Sequence, residues 1–166
     1  MDVLTKTNLN LKFLHSGKVR DTYAYGGNLL IVSTDRISAF DSVFSEGVPK
    51  KGEVLNRLSI FWFRKTKHIV PNHFLSDRMP SELSSMKGRA MIVEKAEPIK
   101  IEAVVRGYLT GSGWKEYREK GTLAGVKLPL GLKNGSRLEH PMFTPTTKAE
   151  QGHDGSLTVE EAGEKF

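Results

Sequence analysis

Residues 102–117, EAVVRGYLTGSGWKEY, decide the fold because they lead from a strand through a glycine-rich turn into a helix. Residues 99–105 are apolar and β-branched, with polar residues at alternate positions, which predicts one strand. Ser112 stands where a helix N-cap is expected, so a short helix is predicted over residues 112–120 and ended by Gly121.

A candidate anion site follows from the same stretch. Arg106 closes the predicted strand and precedes Ser112 by six residues. The N–H groups of a helix N-terminus, a hydroxyl and a guanidinium together suit a phosphate monoester. An ordinary capped helix beside a surface arginine explains the same residues equally well.

The composition fits one domain, or one domain with part of another, in a 166-residue chain that is 38% hydrophobic. The absence of cysteine excludes disulfides and thiolate metal sites. The N-terminus lacks the basic start and apolar core of a signal peptide, and no apolar run approaches the ~20 residues that span a bilayer. We therefore expect a soluble cytoplasmic protein.

The net charge of +6, from 25 Lys and Arg against 19 Asp and Glu, suits anionic partners such as nucleic acid, membranes or phosphorylated small molecules. The basic residues are scattered, with a local cluster at Arg64, Lys65 and Lys67 on a predicted helix. The other face of that helix carries Leu55, Leu58, Phe61 and Trp62. A solvated helix face explains the cluster, so nucleic-acid or membrane partners are not expected.

Short strands and a few helices alternate along the chain, which predicts an α+β fold with mainly antiparallel pairing. The predicted strands cover residues 18–25, 29–33, 90–94 and 99–105, and the predicted helices cover 53–67 and 112–120, with another beginning at Thr158. Gly26-Gly27-Asn28 is a hairpin turn between the first two strands. Residues 121–147 are predicted to be rich in loops.

A glycine turn followed by basic residues occurs in HSGKVRDTY, residues 15–23. Gly17 permits a tight turn, and Lys18 and Arg20 are predicted to share one face of the next strand, where they would lie over a polyphosphate. Basic residues of an edge strand usually face water, which is the simpler interpretation. The phosphate-loop pattern G-x-x-x-x-G-K-[ST] is absent from the sequence.

Two further polar segments are candidates for a site. STDRISAFD, residues 33–41, follows an apolar strand and places Asp35 and Ser38 where active-site loops often lie. Alternatively, Asp35 and Asp41 accept hydrogen bonds from local backbone amides in a turn. FTPTTKAEQGHDG, residues 143–155, lacks a nucleophile elbow and a second histidine at metal-ligand spacing, so chemistry alone predicts a polar loop.

Five blocks together resemble the SAICAR synthetase family in their order and spacing: SGKVRD, STDRISAFD, KGEVLNRLSIFWF, EAVVRGYLTGSGWKEY and FTPTTKAEQGHD. The resemblance covers nearly all of residues 13–158 and is strongest to the longer form typified by the yeast enzyme. It implies a ligase of purine biosynthesis that uses ATP, Mg²⁺ and L-aspartate. The carboxylate of carboxyaminoimidazole ribotide (CAIR) would be phosphorylated to an acyl phosphate, and the aspartate amine would displace the phosphate to give SAICAR.

The resemblance also implies a division of the chain and roles for its residues. Residues 1–95 would form a β-rich domain that covers the nucleotide, and residues 96–166 would begin a second α+β domain that binds ATP and the ribotide. The implied contacts are Lys18 and Arg20 with the ATP phosphates, the Glu94 carbonyl and Ala96 amide with adenine, Glu102, Arg106 and Ser112 with the ribotide, and Asp35, Ser38 and Lys148 with aspartate and the transferred phosphate. Within these sets, Arg106 and Ser112 would hold the 5′-phosphate, and Asp35 and Lys148 would act in catalysis.

The sequence departs from the family pattern in two places. His153-Asp154-Gly155 stands where the family usually has H-D-E, and the segment D-x-K-x-E-F-G, whose carboxylates hold Mg²⁺, is absent. The resemblance implies that the metal ligands lie beyond Phe166, so none is assigned within the chain. The helical pattern that still runs at Phe166 also suggests that a further segment follows. We therefore expect an N-terminal portion that is inactive by itself.

Two other classes of protein are alternatives. A kinase-like phosphotransferase would share the glycine turn, the basic strand and a segment like the hinge of a nucleotide pocket, here residues 91–102. The sequence has no H-R-D or D-F-G segment, however. A non-catalytic module that binds nucleotides or RNA fits the charge, but the aromatic strands of RNA-recognition domains are missing. Nothing in the sequence specifies an oligomeric state.

Overall fold

The computed structural model describes residues 3–40, 42–147 and 155–165, and the chain divides into two units, Met1–Ala96 and Glu97–Phe166. The elements of the first unit are β1 (Phe13–Ser16), β2 (Arg20–Tyr25), β3 (Asn28–Ser33), β4 (Arg36–Ala39), β5 (Ser42–Gly47), α1 (Lys51–Thr66), β6 (Phe74–Ser76), a 3₁₀ helix (Ser81–Met86) and β7 (Ala90–Val93). The elements of the second unit are β8 (Ile101–Glu102), β9 (Val105–Tyr108), α2 (Gly111–Lys120), β10 (Thr122–Leu123), β11 (Val126–Lys127), β12 (Arg137–Phe143), β13 (Thr146–Thr147) and α3 (Val159–Lys165).

The first unit is built on a five-stranded sheet with the order β1-β2-β3-β7-β6, and each neighbouring pair is antiparallel. β2 and β3 are joined by a tight turn in which Gly26 takes a left-handed φ of 57°, a conformation that costs glycine little. The predicted α+β fold with antiparallel pairing and the predicted hairpin are both confirmed. However, β2 begins at Arg20 instead of residue 18, so Lys18 lies in the preceding loop.

Both faces of this sheet are covered because β3 and β7 carry apolar side chains at successive positions. One face packs against the 3₁₀ helix and the N-terminal segment, through a buried cluster of Tyr23, Leu30, Val32, Leu83, Met86 and Ala90. The other face packs against α1, through Ile60, Met91 and Val93. The core of the unit therefore lies on two sides of one sheet.

Helix α1 begins two residues before the predicted start, and its N-terminus is organised from outside the helix. Lys50, the N-cap residue, is left-handed and offers no side-chain cap. The carboxylate of Asp35 supplies the missing acceptor, because the Gly52 N–H donates to Asp35 Oδ1 at 2.8 Å. On the opposite side, Leu58, Phe61 and Trp62 are 51–56% exposed, so the apolar face predicted for this helix is open to solvent.

The second unit shows two differences from the sequence prediction. The single strand expected over residues 99–105 is two strands, β8 and β9, which pair with β13 and β12 respectively. Arg106 therefore lies inside β9 and does not close a strand. The region predicted as loops contains the seven-residue β12, in which Pro141 falls where the register is irregular and a ladder N–H is not required.

Helix α2 ends, and helix α3 begins, where the sequence predicted. Gly121 caps α2 in a left-handed conformation with φ 70°, and its N–H donates to the Tyr117 carbonyl at 2.8 Å. Thr158 and Glu161 form a capping box at the start of α3: the Glu161 N–H donates to Thr158 Oγ1 and the Thr158 N–H donates to the Glu161 carboxylate. Among the described residues, no helix has both the length and the apolar character needed to cross a bilayer.

Two buried carboxylates, Asp21 and Asp35, link separate segments of the first unit. Burial by itself raises the pKa of Asp21, but hydrogen bonds from Arg36, Thr7 and Ser16 outweigh it and hold that pKa below its usual value. Burial likewise opposes ionisation of Asp35, and donors including the Leu4 amide reverse the effect and lower its pKa. Both side chains are therefore expected to be ionised in the folded chain at neutral pH.

These lowered pKa values predict that the fold is acid-sensitive. A carboxyl whose pKa is lower in the folded than in the unfolded state stabilises the fold above the unfolded value of about 3.9, and this stabilisation is lost as pH falls through the folded value. The free energy of unfolding, measured with urea between pH 7 and pH 2.5, should be nearly level above pH 5 and fall steeply below pH 4. A level profile down to pH 2.5 would contradict this assignment.

Candidate functional site

The guanidinium of Arg106 is held at the start of α2 by two hydroxyl groups. Its Nε donates to Thr144 Oγ1 at 3.0 Å, and its Nη2 donates to Ser112 Oγ at 3.1 Å. Thr144 is buried, whereas Ser112 is exposed. The predicted convergence of Arg106 and Ser112 is therefore present, and the pair lies where a solvent-borne ligand can reach it.

Ser112 does not have the predicted capping role. Thr110 occupies the N-cap position in an extended conformation, and Gly111 begins the helix with a left-handed φ of 56°, which places Ser112 in the first turn. The Thr110 side chain makes no capping hydrogen bond. The first-turn N–H groups have no intrahelical acceptor, so they remain available to an anion beside Arg106.

Gly113 allows Leu123 to pack closely against the first turn of α2, next to Arg106. A Cβ at this position would lie 2.9 Å from Leu123 Cδ1 and 3.6 Å from Arg106 Cδ. Leu123 is itself buried in the cluster that also contains Leu109, Tyr117 and Leu138. The cleft that results is lined by Arg106, Ser112, Gly113, Glu116, Leu123, Ala124, Thr144, Pro145, Thr146, Ser156 and Leu157.

Glu116 builds one wall of this cleft, and sequence reasoning missed its role. Its carboxylate accepts hydrogen bonds from Thr122 Oγ1 at 2.9 Å and from the Ala124 N–H at 3.1 Å. Ala124 and Gly125, the turn between β10 and β11, are both left-handed, with φ of 50° and 82°. The Ala-Gly pair between two short apolar stretches was the available signal for this hairpin.

Glu102 is not among the residues that line the cleft. It lies exposed on β8, and its Cα partner across the strand pair is Thr146, which does line the cleft. The structure therefore brings together Arg106 and Ser112 but leaves Glu102 at the neighbouring strand.

In the first unit, Lys18 and Arg20, the two residues predicted to bind the ATP phosphates, have different neighbours. Lys18 lies in the loop between β1 and β2, and this loop lines a cleft with Lys6 and Phe44. Arg20 turns towards α1, where its Nη2 donates to Ser59 Oγ at 2.9 Å. The prediction that the two cations share one strand face is wrong, because the strand begins only at Arg20.

The predicted adenine-binding segment follows β7. The Glu94 N–H donates to the His73 carbonyl at 2.7 Å. Among the residues that the structure describes, the Glu94 carbonyl and the Ala96 N–H have no hydrogen-bond partner. His73 was not selected from the sequence, and its pKa is lowered by burial and by the positive charge of Arg20.

Asp35 has a structural environment that is at odds with the predicted catalytic role. Its side chain is fully buried. Its oxygens accept hydrogen bonds from the Leu4 N–H at 2.9 Å, the Gly52 N–H at 2.8 Å and Arg89 Nη1 at 3.2 Å. The alternative interpretation, a turn in which Asp35 accepts from local backbone amides, does not match either, because Leu4 and Gly52 lie 31 and 17 residues away in sequence. The carboxylate instead joins distant segments of the first unit. Asp41 lies outside the described residues.

The remaining predicted residues are Ser38, Lys148 and the segment His153-Asp154-Gly155. Ser38 is half-buried on β4, opposite Val43. Lys148, His153 and Asp154 lie outside the described residues. Within the described ranges, no three histidine, aspartate or glutamate side chains gather as they would around a metal ion.

Comparisons with known proteins point in one direction. The family model described as SAICAR synthetase matches residues 13–165. The phosphoribosylaminoimidazole-succinocarboxamide synthase of Thermodesulfovibrio yellowstonii is 51% identical over 168 residues, an alignment that covers 96% of this chain and 58% of that protein. The enzyme of the same name from Methylibium petroleiphilum is 53% identical over 158 residues, which cover 91% of this chain and 53% of that protein.

Solved structures give the same result. The SAICAR synthase of Saccharomyces cerevisiae, solved in complex with SAICAR, matches with a TM-score of 0.85 and 39% identity, covering 97% of this chain and 58% of that one. A SAICAR synthetase in complex with ADP matches in fold, with a TM-score of 0.67 at 22% identity, over 91% of this chain and 61% of that one. The chain thus spans little more than half the length of these relatives.

Proposed function

The chain belongs to the SAICAR synthetase family, and on that premise we propose that it serves the ATP-dependent joining of L-aspartate to CAIR. In this reaction the γ-phosphoryl group of ATP passes to the CAIR carboxylate and ADP leaves. The aspartate amine then attacks the acyl carbon, the C–O bond to phosphate breaks, and the amine loses a proton as the amide forms. A cytoplasmic location is part of the same proposal.

The observation that carries this proposal is the arrangement of Arg106 and Ser112 at the uncapped start of α2. A ribotide ends in a phosphate monoester, which needs a cation and several N–H or O–H donors. The guanidinium supplies the cation, and the hydroxyl and the first-turn amides supply the donors. We propose that the 5′-phosphate of CAIR binds here, with Glu102 on the neighbouring strand facing the rest of the ribotide.

The first unit would contribute to nucleotide binding. The carbonyl of Glu94 and the amide of Ala96 are suited to the edge of adenine, because they offer one backbone acceptor and one backbone donor that no other described residue uses. Lys18 and Arg20 would act on the phosphates from separate positions, the loop and the strand. The yeast relative was solved with SAICAR and a more distant relative with ADP, which supports small-molecule substrates of these two kinds.

Of the three residues assigned to aspartate and the transferred phosphate, one changes its role and two remain proposed contacts. Asp35 is carried forward as a structural residue because its carboxylate is enclosed. Ser38 and Lys148 remain proposed contacts for aspartate and the transferred phosphate. The described residues do not fit a Mg²⁺ site, so no step is assigned to a metal ion in this chain.

The relatives carry the synthase name, so they favour neither of the two alternatives, the kinase-like phosphotransferase and the non-catalytic module.

An activity assay tests the proposal in two arms. The 166-residue chain, with its mass confirmed, should release no ADP in response to aspartate, since the metal-binding segment of the family is absent from its sequence. A chimaera that continues this chain with the remaining C-terminal part of the Thermodesulfovibrio yellowstonii enzyme should release ADP only when both CAIR and aspartate are present.

The intact Thermodesulfovibrio yellowstonii enzyme serves as the positive control. If the chimaera folds but releases no ADP in the presence of aspartate and CAIR, the proposed function is contradicted. Robust turnover by the 166-residue chain would instead show that its own residues complete the catalytic site.

A further inference from the structure

Arg36 is directed at the loop that the proposed function places over the nucleotide phosphates. Its side chain extends from the start of β4 to the residues between β1 and β2. Nη2 donates to the Gly17 carbonyl at 2.9 Å and to Ser16 Oγ at 3.2 Å, and Nε donates to the Lys18 carbonyl at 3.3 Å. One guanidinium therefore binds three consecutive residues, the last of β1 and the first two of the loop.

The guanidinium is fixed on its other side by Asp21 on β2. Nη2 lies 2.7 Å from Asp21 Oδ1, Nη1 lies 3.3 Å from Asp21 Oδ2, and Nη1 also donates to the Thr5 carbonyl at 2.8 Å. The arginine side chain is 11% exposed and the aspartate side chain 5%. Because its charge is paired with a buried carboxylate, Arg36 is suited to holding the loop and is poorly suited to binding a phosphate itself.

Thr34 extends the same arrangement to the end of the loop. Its backbone N–H and its Oγ1 both donate to the Val19 carbonyl, each at 2.9 Å. The carbonyls of residues 17, 18 and 19 are thus all bound by residues 34 and 36. In a trans peptide the N–H of the next residue points away from the carbonyl, so these contacts also set the direction of the Lys18 and Val19 amides. The Gly17 N–H donates within the loop, to the Arg20 carbonyl at 2.7 Å.

We propose that Arg36 is a positioning residue for nucleotide binding: it holds residues 16–19 in the conformation that presents the amides of Lys18 and Val19, and the Lys18 side chain, to the ATP phosphates. This inference rests on the proposed function. It gives the STDRIS segment, residues 33–38, a role in ordering the loop that contains Gly17. The sequence of neither segment indicates this role by itself. A lysine keeps the charge but offers a single nitrogen in place of the planar fork, so it cannot hold Ser16, Gly17 and Asp21 together.

The test compares Arg36→Lys with the wild-type chain for binding of ATP and of adenosine, measured by calorimetry without turnover. If the loop is ordered in only about a tenth of the molecules, apparent affinity for a ligand that needs it falls about tenfold. The expected result is a roughly tenfold weaker affinity for ATP with unchanged affinity for adenosine, which lacks phosphates. Equal loss for both ligands, or loss for neither, would overturn the proposal.

A second readout does not depend on a ligand. ¹⁵N relaxation should show rigid amides for residues 17–19 in the wild-type chain and clearly lower order parameters in Arg36→Lys. Rigid amides in the variant would also overturn the proposal. If Arg36→Lys does not fold, Thr34→Val removes one of the bonds to the Val19 carbonyl at nearly constant volume, and it should weaken ATP binding about two- to threefold.

The matched control is Arg64→Lys, which alters the exposed pair of Arg64 and Asp77, also joined at 2.8 Å in the first unit. It should change neither the ATP affinity nor the loop order parameters. If the wild-type chain binds no ATP, the proposed function is contradicted. If the wild-type chain binds ATP and Arg36→Lys binds it with the same affinity, only the role of Arg36 is contradicted.

Discussion

Replacing Arg89 by methionine should lower the free energy of unfolding by about 3–5 kcal/mol, the usual loss when one partner of a buried ion pair is removed. The Asp35 carboxylate is fully buried, and Arg89, 11% exposed, is the cation that contacts it at 3.2 Å. Arg89 also reaches Glu53 Oε1 at 3.4 Å, at the first turn of α1. Methionine would fill much of the space but would leave Asp35 charged and without a cation.

Urea unfolding of Arg89→Met at pH 7 gives this difference directly. Arg64→Met is the matched control, because Arg64 and Asp77 form an exposed pair that should contribute only ~0–1 kcal/mol. The difference between Arg89→Met and wild type should narrow at low pH, where protonation of Asp35 removes the unpaired charge. A loss below ~1 kcal/mol, or one that does not vary with pH, would show that the buried pair is not the source of stability.

Replacing Arg106 by alanine should weaken binding of CAIR by about 2–3 kcal/mol, or roughly 30–150-fold in dissociation constant. The variant removes the charge and the donors that Ser112 and Thr144 orient beside the start of α2. ATP affinity should change little, since the residues proposed for the nucleotide belong to other segments. Calorimetric titration of the wild-type chain and the variant with each ligand measures both affinities.

Arg118→Ala is the control for Arg106→Ala, because Arg118 lies exposed in the last turn of the same helix. It should leave CAIR binding unchanged, and Ser112→Ala should cause a smaller loss, of about 0.5–1.5 kcal/mol. If Arg106→Ala binds CAIR as tightly as wild type does, the ribotide phosphate does not bind at this helix start.

Local sequence patterns predicted those parts of the fold that are determined by neighbouring residues. The glycine turn before β3, the glycine that ends α2 and the helix start at Thr158 each depend on a few adjacent positions. The pairing of Arg106 with Ser112 was also predictable, because a strand, a turn and a helix start are contiguous there. Each of these features has a short-range physical cause.

Features that depend on distant partners were predicted poorly. Asp35 looked like a candidate catalytic residue because nothing local shows that the Leu4 amide and Arg89 enclose it. Residues 121–147 were predicted to be rich in loops, but they contain the strand β12. Its residue Pro141 lies where the pairing of β12 with β9 is irregular in register. The role of Arg36 was hidden for the same reason, since its partners lie 15 to 31 residues earlier in the chain. Hydrophobic pattern likewise gave no sign that Trp62 is 56% exposed.

The most direct test of the whole account is to map both ligands on the ¹⁵N-labelled 166-residue chain by NMR. ATP should shift the amide signals of residues 16–20 and 94–96, and CAIR should shift those of residues 106, 111–113 and 144–146. The two sets should be largely separate, and the CAIR set should respond to Arg106→Ala while the ATP set does not. Shifts by CAIR that leave residues 106 and 111–113 unchanged, or an absence of shifts with either ligand, would contradict the account.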